Sequence, residues 1–77
     1  MTDAEWFRGE IADLGYTQSS LARRMAALGD TRDPKVILRG ISRMATGAVA
    51  VSGEMRVILA LLRAGEAKRQ AASDVRA

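Results

Sequence analysis

A chain of 77 residues with 48% hydrophobic and 27% charged side chains has room for one small folded domain, and it excludes both a second domain and a disordered polypeptide. Cysteine and histidine are absent, which removes disulfide staples, thiol nucleophiles, the usual zinc ligands and the usual general base near neutral pH; no metal, no cofactor and no enzymatic activity are expected. The net charge of +3 is unevenly spread: residues 1–16 carry −3, residues 17–47 carry +4 through Arg23, Arg24, Arg32, Lys35, Arg39 and Arg43 against Asp30 and Asp33, and residues 48–77 carry +2. A basic centre of this kind is expected where one surface meets a polyanion, with a solvated basic face as the plain alternative.

The apolar residues are mostly Leu, Ile, Val, Met and Ala, with three aromatics (Trp6, Phe7, Tyr16) and a single proline, Pro34, so an all-α fold of four to five helices is expected. The longest apolar run, residues 57–62, falls far short of the ~20 residues of a membrane helix, and the first residues are acidic; a cytoplasmic protein with no membrane partner is the expectation. A core this small seldom supplies more than roughly 3–5 kcal/mol, which makes a homodimer the expected state.

Helix 1 is placed at residues 3–14. Thr2 and Glu5 form a T-x-x-E capping box, Phe7, Ile11 and Leu14 give one apolar face, and Gly15 supplies a left-handed cap. Trp6, Phe7 and Tyr16 read as core residues rather than base-stacking platforms. Helix 2 is placed at residues 18–28, with Thr17 as N-cap, an apolar stripe of Leu21, Ala22, Met25 and Leu28, and Gly29 closing it. Residues 29–33 read as a loop.

Asp33 before Pro34 starts helix 3, placed at residues 34–45. Ile37, Ile41 and Met44 form its apolar face, flanked by Val36 and Leu38, whereas Lys35, Arg39, Ser42 and Arg43 recur on the opposite side as a basic ridge. Gly40 inside this helix costs roughly 1 kcal/mol relative to alanine, which points to a close approach by another helix or a ligand. Gly47 ends the helix, and the valines of residues 46–51 are expected to tuck a loop against the core. Ser52 caps helix 4, with Glu54 in its first turn and Gly65 just past its end. Met55, Ile58, Leu59 and Leu62 make its core stripe, and Val57 and Leu61 extend the apolar surface beyond what a monomer covers, so these two are the expected dimer contact. Residues 1–65 therefore form the domain, and residues 66–77 a polar tail, either a frayed continuation of helix 4 or disordered.

Residues 14–22, read as LGYTQSSLA, resemble the "LGLTQxxLA" signature of lambda-repressor/Cro-like helix-turn-helix regulators. Residues 41–47, ISRMATG, resemble that family's "VxRWExG" ending of the recognition helix, with Met44 in place of tryptophan, and residues 48–62 resemble its leucine-rich close. The matches cover most of residues 6–64. Between Ala22 and Ile41 lie 18 residues, more than the compact family pattern has, and Ala26 stands where a turn glycine is usual. The excess either lengthens helix 3 at its N-terminus, carrying Lys35 and Arg39 onto the Arg43 ridge, or forms a separate loop directed away from the ligand.

The resemblance implies a lambda-repressor-like helix-turn-helix domain that binds double-stranded DNA with helix 3 in the major groove. It implies a repressor occupying a palindromic operator as a homodimer, with no small-molecule ligand. The DNA-facing set is then Thr17, Gln18, Ser19, Arg32, Lys35, Arg39, Ser42 and Arg43, with arginines on guanine edges or phosphates and Gln18 and Ser19 on a phosphate. Arg23 and Arg24 read as surface cover. The alternative is a small helical interaction module, an antitoxin or inhibitor acting through the helix 4 surface. RNA binding is disfavoured, because helix 3 has no exposed stacking aromatic.

Overall fold

A computed structural model describes the backbone of residues 1–76 and the side chains of residues 1–65. The described residues are all-helical: α1 (Asp3–Asp13), α2 (Gln18–Ala27), α3 (Pro34–Thr46) and α4 (Gly53–Arg76). No described helix is long and apolar enough to cross a membrane.

Each helix begins on a side-chain cap. Thr2 accepts from the Glu5 amide at 3.2 Å, but its hydroxyl also donates to the Glu5 carboxylate at 3.1 Å, so the pair closes side chain to side chain rather than as the full reciprocal box. The reciprocal box forms instead at α2, where Ser20 is the partner of Thr17. Asp33 accepts from the Lys35 amide at 2.8 Å, with Pro34 preset for the first turn of α3. Ser52 accepts from the Met55 amide at 3.1 Å and starts α4. Gly15 and Gly47 turn the chain at φ of 81° and 84°, a region that admits glycine without strain.

α3 is the central helix and packs against both α2 and α1, while α4 closes the core through Met55, Leu59 and Leu62. Phe7, Leu21, Ile37, Ile41 and Leu59 are fully buried, each contributing about 1.5–3 kcal/mol of transfer free energy. Trp6 and Tyr16 are only half-buried and pack on the edge of this core. Arg56 lies over the Trp6 ring at 4.7 Å from its centroid. Val51 tucks under the core as expected, but Val49 stays exposed, because the loop after Gly47 points it outward.

Acids on α1 meet arginines on α4. Arg63 bonds Glu10 at 2.8 Å and lies 4.0 Å from Asp13, and Arg56 bonds Asp3 at 3.1 Å. Exposed pairs of this kind add little stability each, but they account for the charges of this seam. Arg8 donates to the Ala45 carbonyl, satisfying an acceptor in the last turn of α3.

α4 runs through Gly65 to Arg76, so Gly65 does not end it. One glycine costs roughly 1 kcal/mol in a helix, and it is followed by strong helix formers such as Ala67, Lys68 and Arg69. The side chains of residues 66–77, read above as a polar tail, lie outside the described residues.

Candidate nucleic-acid interface

The first turn of α2 is fixed tightly. Thr17 accepts from the Ser20 amide at 3.1 Å, and the Ser20 hydroxyl accepts from the Thr17 amide at 2.8 Å. The Thr17 hydroxyl is thus engaged in the cap, which makes it a positioning group for the turn. Gln18 is half-buried and Ser19 is exposed beside the amides at the helix N-terminus, where the dipole and unpaired donors favour an anion.

α3 is amphipathic with two distinct faces. Ile37, Ile41, Met44 and Ala45 are buried, and Lys35, Arg39 and Arg43 are exposed on the opposite side at successive turns, with Ser42 half-buried alongside. The helix is continuous from Pro34, with residues 28–33 outside it, and Lys35 and Arg39 stand on the same ridge as Arg43. Lys35 is then about 12 Å from Arg43 along the axis.

The two helices share a cleft of about 210 Å³ lined by Ser19, Ala22 and Arg23 of α2 and Pro34, Lys35 and Leu38 of α3. Arg23, read from the sequence as surface cover, therefore stands with Ser19 and Lys35. Its i+4 spacing from Ser19 was the signal for this shared face. Arg24 falls a step further round α2.

Engagement by any protein acceptor, carboxylate or carbonyl, divides the described side-chain cations into two groups. Arg8, Arg32, Arg56 and Arg63 each engage a carboxylate or carbonyl of the protein. Among the described residues, Arg23, Arg24, Lys35, Arg39 and Arg43, all on α2 and α3, form no ion pair. Among the described residues, side-chain cations with no protein acceptor are thus concentrated on one helix pair, while Asp3, Glu10 and Asp13 of α1 are met by arginines of α4.

Arg32 differs from the ridge residues. Its guanidinium bonds Asp30 twice, at 3.0 and 2.6 Å, and its amide donates to the same carboxylate at 3.1 Å. These hydrogen bonds hold the Asp30 carboxyl below the usual carboxylate range and raise the Arg32 guanidinium above its own. The Arg32 charge is locally compensated in the α2–α3 connection rather than presented with Lys35. A Cβ built on Gly40 meets nothing within 4 Å, so no neighbouring helix requires that glycine, contrary to half of the expectation.

A second surface lies on the α4 side. Val57 and Leu61 are 59% and 67% exposed. Leu28, expected in the core stripe of α2, is the C-cap residue and is 57% exposed, because the stripe's last position has rotated to the edge of the core. Met25, Leu28, Asp30, Ile58 and Leu61 line a groove of about 370 Å³ there.

Comparison with protein-family models, curated proteins and solved structures returns no match. Among the described residues no group of three or more acidic side chains is arranged to hold a metal ion.

Proposed function

We propose that this chain is a sequence-specific double-stranded DNA-binding regulator of the lambda-repressor/Cro-like type, with α2 and α3 as its helix-turn-helix and α3 in the major groove. The observation that carries the reading is the concentration on α2 and α3 of those described side-chain cations that no acceptor of the protein engages. A phosphate backbone lends most of its affinity to such charges, and Arg39 and Arg43 on an outward ridge have the donor geometry for guanine edges. Ser19, Arg23 and Lys35 around the α2–α3 cleft hold a flanking phosphate, assisted by the amides of the α2 N-terminus. Thr17 and Gln18 position that turn, and Ser42 and Arg43 continue the ridge towards the far end of α3. Arg32 serves the connection through Asp30 and is a lesser contact.

The protein acts as a homodimer on a palindromic operator and represses by occupancy. Leu28, Val57 and Leu61 supply an apolar patch that a second copy covers, and joining two half-sites multiplies a modest monomer affinity. The same patch favours the second reading, a small interaction module that meets a protein target through α4.

Selection of duplexes from a random library by the full chain, followed by fluorescence anisotropy of selected and scrambled sequences, tests the proposal. Selected duplexes should bind about 10³-fold or more tightly than scrambled ones at one salt concentration. Equal affinity for both refutes it and leaves the interaction module as the better account.

A further inference from the structure

We propose that Val36 reads the C5-methyl group of a thymine, so that each operator half-site carries a thymine beside a guanine contacted by Arg39 or Arg43. The inference rests on the DNA-binding reading above and adds a specificity-determining residue to it. Val36 is 49% exposed on α3, although Ile37, Ile41, Met44 and Ala45 already fill that helix's core face. A lone exposed valine is ordinary on a protein surface, so its position has to carry the argument. Arg39 and Arg43 stand three and seven residues further on and share its side of the helix. Gly40, one turn on, leaves bare backbone between Val36 and Arg43, with open space where a side chain would stand. The strip is thus an aliphatic knob, a notch, and two guanidinium groups without ion-pair partners among the described residues.

Major-groove chemistry matches this composition. Of the base edges displayed there, thymine alone carries a methyl group, and guanine offers the paired acceptors that an arginine fork takes bidentately. Val36 and Arg39 are about 4.5 Å apart along the helix axis, against a rise of about 3.4 Å along the duplex axis per base pair, which suits adjacent or next-adjacent base pairs. Lys35, about 100° round the helix from Val36 on the flank nearer α2, lines the cleft with Ser19 and Arg23. The first turn of α3 therefore divides its work, with Lys35 towards the backbone and Val36 towards the base edge.

The test replaces each thymine of a selected duplex by deoxyuridine, which removes the methyl group and leaves pairing intact. For the wild-type chain, one thymine position per half-site should show about fourfold weaker binding on substitution, and about fifteenfold when both half-sites are changed. Val36→Ala should bind the thymine duplex more weakly and show a smaller deoxyuridine effect at that position, while the salt dependence stays as in the wild type because no charge changes. Its exposed site leaves the fold intact, which circular dichroism checks. Sequence preference with no deoxyuridine effect at any thymine overturns this inference alone, as does an undiminished effect in Val36→Ala. Absence of any sequence preference in the wild-type chain overturns the proposed function as well.

Discussion

Substituting basic residues according to their partners separates the charge proposed to face DNA from structural charge. Lys35 and Arg23 border the α2–α3 cleft and form no ion pair among the described residues, whereas Arg56 and Arg63 are bonded to Asp3 and Glu10. A protein that neutralises Z phosphates shows a slope of log K against log salt of about −0.9Z. On the proposed function, Lys35→Gln removes one phosphate contact from each of two copies, and the slope should flatten by about 1.8. Between about 50 and 200 mM salt this amounts to roughly a twelvefold smaller loss of affinity than in the wild type. Arg23→Gln should act similarly. Arg56→Gln and Arg63→Gln should leave the slope within its error, since those charges are spent on α1. Anisotropy on a labelled random-sequence duplex across that salt range measures all four, and it needs no knowledge of the operator. A flattening by Arg56→Gln or Arg63→Gln equal to that of Lys35→Gln, in variants with wild-type helicity, would refute the assignment of the binding face by ion pairing.

Further outcomes follow from the packing. Leu61→Glu should give a folded, monomeric protein in sedimentation at micromolar concentration, because the site is 67% exposed, with operator binding about 10²-fold weaker. Gly40→Ala should raise the thermal midpoint by roughly 2–8 °C, since alanine is favoured in a helix by about 0.5–1 kcal/mol and nothing obstructs its Cβ. Leu59→Ala, at a site 1% exposed, should cost about 2–5 kcal/mol in urea unfolding, comparable with the whole of the roughly 3–5 kcal/mol that a core of this size supplies. Asp30→Asn should lower the thermal midpoint at neutral pH. The Asp30 carboxyl titrates below its ordinary range in the folded protein, chiefly through its hydrogen bond to Arg32, so its contribution is full above the unfolded-state value. The difference between variant and wild type should therefore disappear as pH falls through the lower, folded-state value.

The parts of this fold that depend on short-range chemistry were legible in the sequence. Thr17, Asp33 and Ser52 each announce a helix start by an oxygen within reach of a first-turn amide, and Gly15 and Gly47 announce two of the ends. The ridge of Lys35, Arg39 and Arg43 follows from helical spacing once Asp33 and Pro34 are read as a start. Features set by tertiary contact were not legible. Arg63 finds Glu10 across 53 positions of sequence, and no spacing rule pairs them. The stripe that includes Leu28 has helical period, yet its last member sits where α2 ends and the core has already curved away. Arg23 differs from Arg24 in sequence only by its i+4 spacing from Ser19, and the packing of α2 on α3 is what turns that face into a cleft. Gly65 shows the limit of single-residue punctuation, since its cost is small beside the helix formers around it.

The central claim is that α2 and α3 form the surface that meets DNA. Amide chemical shifts of the full chain, followed during titration with a selected duplex, test it most directly. The account predicts the largest changes at residues 17–23 and along α3, with smaller ones at Leu28 and Leu61, the proposed dimer contact. Changes confined to α1 and α4, with α2 and the α3 ridge unmoved, would contradict it.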